Sequence, residues 1–199
     1  VVRHNIEVKN EFINAKDIIN KYEDNKKNKK GNKILVICNT IKKAQELYDE
    51  IYLDLSEEDR ENLNILHSRF IKKDRSEKEL KILACGQTYN KDKEIDIQNS
   101  IWISTSIVEA SLDIDFDYIF TELQELNSLF QRLGRCNRKG VKKVEEPNSF
   151  IYTQIEGIKL GNTGFIDETL FNLSKKALEN VSGKITEEKK IELIEEWLT

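Results

Sequence analysis

Three closely spaced arginines form the pattern in this sequence that is best suited to chemistry. They lie in the segment 131–138, which reads Q-R-L-G-R-C-N-R. A guanidinium group stays charged at all relevant pH values and matches phosphate oxygens with two parallel hydrogen bonds. Arg135 and Arg138 are three residues apart, and on one helix face this spacing places their side chains next to each other. The pair therefore indicates a site for a nucleotide γ-phosphate, where arginines stabilise the transition state of phosphoryl transfer.

The charges around this segment leave a second interpretation open. Residues 109–125 hold six acids and no base, and residues 131–143 hold six bases and no acid. Charge runs are commonly solvated faces, so the arginines could instead form a basic surface helix that balances the acidic run. We expect Cys136 to be a packing residue, because no base or second cysteine lies near it in sequence.

Polar residues also follow several strand-like runs. Asn39-Thr40 follow one run, His67-Ser68-Arg69 a second and Thr105-Ser106 a third. Ligands of parallel α/β sheets bind beyond the carboxyl ends of the strands, where hydroxyls and helix N-termini can hold backbone phosphates without reading bases. The alternative is that Thr40 and Thr105 merely cap the helices that follow them.

Short apolar runs alternate with helical patterns, which predicts a doubly wound α/β domain with a mostly parallel sheet. The predicted strands are Arg3–Val8, Lys33–Cys38, Asn64–His67, Ile101–Ser104, Tyr118–Thr121 and Phe150–Thr153. The predicted helices are Thr40–Leu53, Ile71–Cys85, Leu126–Cys136 and two near the C-terminus, the last capped by Thr186. Residues 21–32, 86–99 and 157–164 are expected to be loops. We assign residues 1–155 to the α/β domain and residues 156–199 to a helical extension.

Composition excludes some classes of protein. The 199 residues carry a net charge of −4, are 38% apolar and contain no run as long as a membrane span. The three cysteines lie far apart and no leader-like segment opens the chain, so we expect reduced thiols, no membrane partner and a cytoplasmic location. The chain begins with Val1 and has no Met, so we expect it to be part of a longer protein.

The ordered motifs resemble those of a known family. The segment 131–138 resembles the Q-R-x-G-R-x-x-R element of superfamily-two helicases, which lies in their second RecA-like domain. The segment 104–117, S-T-S-I-V-E-A-S-L-D-I-D-F-D, resembles the element that precedes it. Together with H-S-R-F at residues 67–70, these motifs are similar to the CRISPR-associated helicase-nuclease of type I systems. The resemblance covers about residues 33–139.

The resemblance implies roles for single residues. Arg135 and Arg138 would reach the γ-phosphate of ATP held by the other motor domain, and Gln131 and Arg132 would link the domains at the nucleotide. Asp113 would approach the ribose or stabilise the loop that faces the nucleotide. Residues facing the backbone of single-stranded DNA would be Thr40, Ser68, Arg69, Thr105 and Ser106. The implied partners are a first RecA-like domain, a His-Asp nuclease domain and an RNA-guided CRISPR surveillance complex.

The sequence also lacks parts that such a motor needs. It contains no G-x-x-x-x-G-K-[ST] phosphate loop and no D-E-x-[HD] box for Mg²⁺, and its two His form no His-Asp pair. We therefore expect the missing domain to hold most of the Mg²⁺·ATP and the fragment alone to hydrolyse none. Two other functions stay open: a DEAD-box-like RNA helicase domain, and a non-catalytic module that binds nucleic acid or an acidic protein surface.

Overall fold

The computed structural model describes residues 1–87, 98–110, 112–156 and 166–199. Its strands are β1 (Val2–Phe12), β2 (Asn32–Ile37), β3 (Leu63–Leu66), β4 (Asn99–Ser104), β5 (Tyr118–Glu122), β6 (Ser149–Gln154) and β7 (Gly183–Thr186). Its helices are α1 (Ala15–Lys27), α2 (Ile41–Asp54), α3 (Glu57–Arg60), α4 (Lys72–Cys85), α5 (Ile107–Ala110), α6 (Leu126–Leu133), α7 (Glu168–Leu178) and α8 (Glu187–Leu198).

The strands form one sheet in the order β3-β4-β2-β5-β6-β1-β7. All neighbouring strands are parallel except β7, which runs antiparallel to β1. The predicted α/β class with a mostly parallel sheet is therefore confirmed. Because β3, β4 and β2 are neighbours, the loops that follow them lie side by side at one edge of the sheet.

The central strands β2, β4 and β5 are buried along nearly their whole length, which explains why each of them contains an apolar run. In β2, Ile34 and Val36 pack against the cluster that contains α1 and α2, whereas Leu35 and Ile37 pack against α5 to α8. This alternation follows from the two-residue period of a strand. Helices thus cover both faces and leave the carboxyl edge of the sheet to the polar loops.

Helices α1, α3 and α5 and strand β7 were not among the predicted elements, and two of them correct a prediction. Residues 21–32 were expected to be a loop, but α1 continues to Lys27, because Asn14 caps the helix and Ile18, Tyr22 and Asn25 form a buried stripe. The C-terminal segment is not purely helical, since β7 joins the sheet beside β1. The boundary near residue 155 stays a prediction.

The other predictions agree with the structure within a few residues at each end. All six predicted strands are present, and α2 and α8 are capped by Thr40 and Thr186 as expected. Most of the predicted loops at 86–99 and 157–164 lie outside the described residues.

Candidate functional site

The arginine pair does not lie on a helix. Helix α6 ends at Leu133, and Asn137 takes a left-handed φ of 45°. The backbone of Phe116 donates to the carbonyl of Arg135 and accepts from the amide of Asn137. These bonds draw the chain away from helical geometry, so the prediction that Arg135 and Arg138 share a helix face is wrong. We call residues 134–142 the arginine loop.

The loop nevertheless brings both arginines to one groove. This open groove has a volume of about 450 Å³ and is bordered by Gln131, Arg135 and Arg138 together with Glu109 and Ala110. The sequence prediction that these three polar residues act together is thus compatible with their placement. Gln131 is exposed and Arg135 and Arg138 are half-buried, so a ligand in the groove can reach all three.

Two nitrogen donors of the arginine pair have no hydrogen-bond acceptor within the described residues. Arg135 donates from Nη2 to the backbone carbonyl of Glu109. Within the described chain, its buried Nε has no hydrogen-bond acceptor. Arg138 Nη1 lies 3.1 Å from Asp113 Oδ1, close enough for an ion pair, but the angles are not those of a hydrogen bond. Buried donors without partners are costly, so this groove favours an acceptor-rich ligand.

Electrostatics favour an anionic ligand. Burial, followed by repulsion from Arg138, lowers the pKa of Arg135, and Asp113 and Glu109 only partly oppose the effect. The guanidinium remains charged, because its pKa starts far above neutral pH. A phosphate oxygen between the two side chains would accept the free N–H groups and reduce their repulsion. The groove therefore fits the terminal phosphate of a nucleotide.

Arg132 has a different environment from the other two arginines. It is fully buried, and its Nε lies 2.6 Å from Glu109 Oε1. Its Nη1 donates to Asn39 Oδ1 at 2.9 Å, and its Nη2 donates to Gln124 Oε1 at 2.9 Å. Arg132 therefore joins α5, α6 and the ends of β2 and β5 inside the domain. A direct role in nucleotide binding stays a prediction.

Asp113 lies next to the arginine pair. Its side chain is 74% exposed and forms the ion pair with Arg138 described above. A carboxylate in this position partly offsets the positive charge of Arg138. Its contact with a ribose stays a prediction.

The predicted nucleic-acid residues follow three adjacent strands. Ser68 and Arg69 are exposed, and Ser106 is half-buried. Thr105 is buried, with 7% exposure. Thr40 Oγ1 accepts from the amide of Lys43 at 3.1 Å, which confirms its capping role. The capping interpretation and a phosphate contact are compatible, because a helix N-terminus also attracts anions.

Sequence reasoning missed Glu109 as a member of the site. Its carboxylate accepts from Arg132 and from Ser128 Oγ, and its carbonyl accepts from Arg135. It lies in α5, three residues after Ser106, so it joins the carboxyl edge of the sheet to the arginine loop. Glu109 could have been noticed as the acid inside the 104–117 motif. It also belongs to the acidic run at residues 109–125, and such charge runs are commonly solvated faces.

A buried histidine lies directly behind the arginine loop. His4 Nε2 lies 2.8 Å from the carbonyl of Cys136, and Nδ1 lies 2.7 Å from Lys190 Nζ. An ammonium only donates, so Nδ1 accepts and Nε2 carries the proton of a neutral ring. Burial, then the charges of Lys190 and Arg3, lower the pKa of His4 from 6.5 to about 4.

This shift predicts a pH-dependent stability. The unfolded chain binds a proton at His4 below its usual pKa while the folded protein resists it, so stability is lost as the pH falls from 6.5 towards 4. From about pH 7.5 to about pH 5 we expect a loss of about 2 kcal/mol in the free energy of unfolding. Urea titrations should show a smaller loss for His4→Gln; equal losses in the two proteins would contradict the prediction.

Two negative findings concern the described residues. None of their helices has both the length and the apolar character needed to cross a membrane. In the same ranges, no group of three or more His, Cys, Asp or Glu side chains is arranged to hold a metal ion.

Solved structures show the same fold. The crystal structure of T. fusca Cas3 matches 98% of this chain and 24% of its own chain, with a TM-score of 0.71 and 22% identity. A structure described as a CRISPR RNA-guided surveillance complex, pre-nicking, matches all of this chain and 25% of its own, with a TM-score of 0.71 and 19% identity. The sheet and its flanking helices thus define a RecA-like α/β fold class.

Sequence comparison identifies the family to which the chain belongs. The model of the family described as CRISPR-associated nuclease/helicase Cas3, C-terminal, matches residues 30–141, and the chain belongs to this family. The CRISPR-associated nuclease/helicase Cas3 of Methanothermobacter thermautotrophicus is 30% identical over 88% of this chain and 19% of its own length. The relative in Streptococcus thermophilus is 35% identical over 65% of this chain and 13% of its own. The chain thus spans at most about a fifth of these relatives.

Proposed function

We propose that this chain is the second motor domain of an ATP-dependent DNA helicase or translocase. The observation that carries the proposal is the groove in which Arg135 and Arg138 present unsatisfied donors beside Gln131. Arginines at a transferring phosphoryl group stabilise the charge that develops in the transition state. This stabilisation is electrostatic and needs no covalent step by the protein. The family membership supports the proposal, because its members are named nuclease/helicases.

ATP would lie between this domain and a second one. The chain has no phosphate loop, so the domain that supplies one would bind most of the triphosphate and the Mg²⁺. Arg135 and Arg138 would approach the γ-phosphate from this side, with Gln131 at the domain boundary. A solved Cas3 structure described as an ATP complex supports a nucleotide in relatives of this fold.

The carboxyl edge of the sheet would hold single-stranded DNA. Ser68, Arg69 and Ser106 offer polar groups at neighbouring strand ends, and Thr40 marks the N-terminus of α2. Groups of this kind bind backbone phosphates of any sequence, as a translocating motor requires. Glu109 would link this edge to the arginine loop. Nucleotide binding and DNA binding would therefore both affect α5, the helix that contains Glu109.

The same proposal includes the partners of the intact protein. We infer a first RecA-like domain and a His-Asp nuclease domain in the same protein, and an RNA-guided CRISPR surveillance complex that recruits it. The surveillance-complex structure that this fold matches supports the last of these. The three free cysteines suit the reducing cytoplasm in which such a complex would act.

The decisive experiment measures ATP turnover by the intact protein of which this chain forms part. We expect single-stranded DNA to stimulate turnover more than RNA of the same sequence and length. Turnover by the purified 199 residues should equal the blank. Stronger stimulation by RNA would indicate an RNA helicase, since contacts to the 2′-hydroxyl distinguish the two substrates. Turnover without any response to nucleic acid would favour the interaction module.

A further inference from the structure

The arginine loop is held in place by side chains from the start of the chain. Arg3 Nη1 donates to the carbonyl of Arg138 at 2.7 Å, and His4 contacts the carbonyl of Cys136 at 2.8 Å. The amide of Arg138 donates to Asp115 Oδ1 at 3.1 Å. The backbone on both sides of Asn137 is therefore fixed by partners far away in sequence.

Helix α8 fixes those partners in turn. Glu187 accepts from Arg3 Nε at 3.0 Å, and its second oxygen lies 2.8 Å from Arg3 Nη2. Glu187 also accepts from Lys190 Nζ at 2.7 Å, and Lys190 donates to His4. These contacts join four side chains, which we call the β1/α8 cluster: Arg3, His4, Glu187 and Lys190.

The contact between β1 and the arginine loop is close as well as polar. Gly140 has a φ of 64°, and a Cβ added there would lie 2.5 Å from Val1 Cγ1 and 3.1 Å from Arg3 Cγ. Asn137 Nδ2 donates to the carbonyl of Arg3 at 3.1 Å. The loop therefore lies directly on β1, with little space for either segment to shift alone.

We propose that the β1/α8 cluster positions the arginine pair for phosphoryl transfer, and that its four residues are positioning residues rather than structural ones. All four lie outside residues 30–141, the part that the family model matches. The proposal rests on the proposed function, because it assigns a purpose to Arg138 in catalysis. The proposal adds that β1 and α8 control the geometry of the groove. Of the residues in these two elements, Arg3 alone borders the groove.

The physical basis is the precision that an arginine at a transition state needs. A displacement of about 1 Å can lower a rate about 100-fold, although ground-state binding changes little. Glu187 anchors the guanidinium of Arg3 through two oxygens, and Arg3 then determines the position of the Arg138 carbonyl. Burial raises the pKa of Glu187, but bonds from Arg3 and Lys190 outweigh it and lower the pKa to about 2, so the anchor stays charged.

The test compares two glutamates of α8 in the intact protein. Glu187→Ala removes the anchor, whereas Glu192→Ala removes the same charge from the exposed pair with Lys189, which lies 3.1 Å away. For Glu187→Ala we expect kcat of DNA-stimulated ATP hydrolysis to fall about tenfold with KM for ATP changed less than about twofold. For Glu192→Ala we expect both constants to match the wild type. Lys190→Met should repeat the Glu187→Ala result through His4.

A double variant separates positioning from general damage. If the cluster acts through Arg138, adding Glu187→Ala to Arg138→Ala should not lower kcat further, since residues that act as one unit are not additive. A further fall of about tenfold, or a rise in KM without a fall in kcat, would overturn the proposal. An unchanged kcat in Arg138→Ala alone would instead refute the proposed function, so the two failures are distinguishable.

Discussion

Replacing Arg138 by Ala is expected to lower DNA-stimulated ATP turnover by the intact protein about 1000-fold or more, since an arginine finger is worth about 10³–10⁵ in kcat. The side chain is half-buried at the groove and contributes a donor that lacks an acceptor in the described structure. In the proposed role it would bind the charge that develops during phosphoryl transfer rather than the nucleotide in its ground state. ATP binding should therefore be largely retained, as measured by titration with a labelled nucleotide.

Two matched variants sharpen this result. Arg138→Lys keeps the charge but loses the planar bidentate group, so it should also lose most of the turnover. Lys139→Ala removes an exposed neighbouring charge and should leave turnover close to that of the wild type. Full activity of Arg138→Lys would show that charge alone suffices, as an interaction module requires, and would contradict the role of Arg138 as an arginine finger.

The largest effect on stability is expected for Arg132→Met. This change removes the guanidinium that donates to the Glu109 carboxylate, Asn39 Oδ1 and Gln124 Oε1, in a region where Arg132 itself is fully buried. Breaking a buried ion pair from one side costs about 3–5 kcal/mol, because an uncompensated charge remains in a medium of low dielectric constant. We expect a loss of this size in the free energy of unfolding, measured by urea denaturation.

The control for this variant is an ion pair in solvent. Arg75 lies 2.8 Å from Glu79 on α4, and its side chain is 41% exposed. Arg75→Met should therefore cost less than about 1 kcal/mol. If Arg132→Met and Arg75→Met lowered stability equally, the buried network around Arg132 would not support the domain as we describe.

The sequence was sufficient to predict six strands of the sheet, but not strand β7 or every helix around the sheet. Strands buried on both faces are continuous apolar runs, so β2, β4 and β5 were identifiable from composition alone. Helix α1 was harder to recognise because its lysines obscure a stripe of only a few buried residues, among them Ile18 and Tyr22. Strand β7 has four residues and forms because β1 offers it a partner, which no local pattern reveals.

The site shows the same division between local and distant causes. The residue types of the arginine segment predicted a site for phosphate. They did not predict the backbone conformation of the arginine loop, because the bonds between Phe116 and this loop join residues about 20 apart in sequence. Arg132 was assigned to the nucleotide by the resemblance to the helicase motif, and its burial was not foreseen because arginine is rarely buried. His4 and Glu187 could not be linked to Arg138 from sequence, since their contacts depend on the packing of α8.

The position of β1 within the sheet also bears on the order of folding during synthesis. Among the described strands β1 is made first, yet both of its neighbours, β6 and β7, begin at residue 149 or later. Until then its backbone amides and carbonyls have no strand to pair with, whereas β2, β3, β4 and β5 can already associate. β1 therefore stays without both partner strands until residue 149 and those after it have been made, and the arginine loop can reach its final geometry only after α8 has been made.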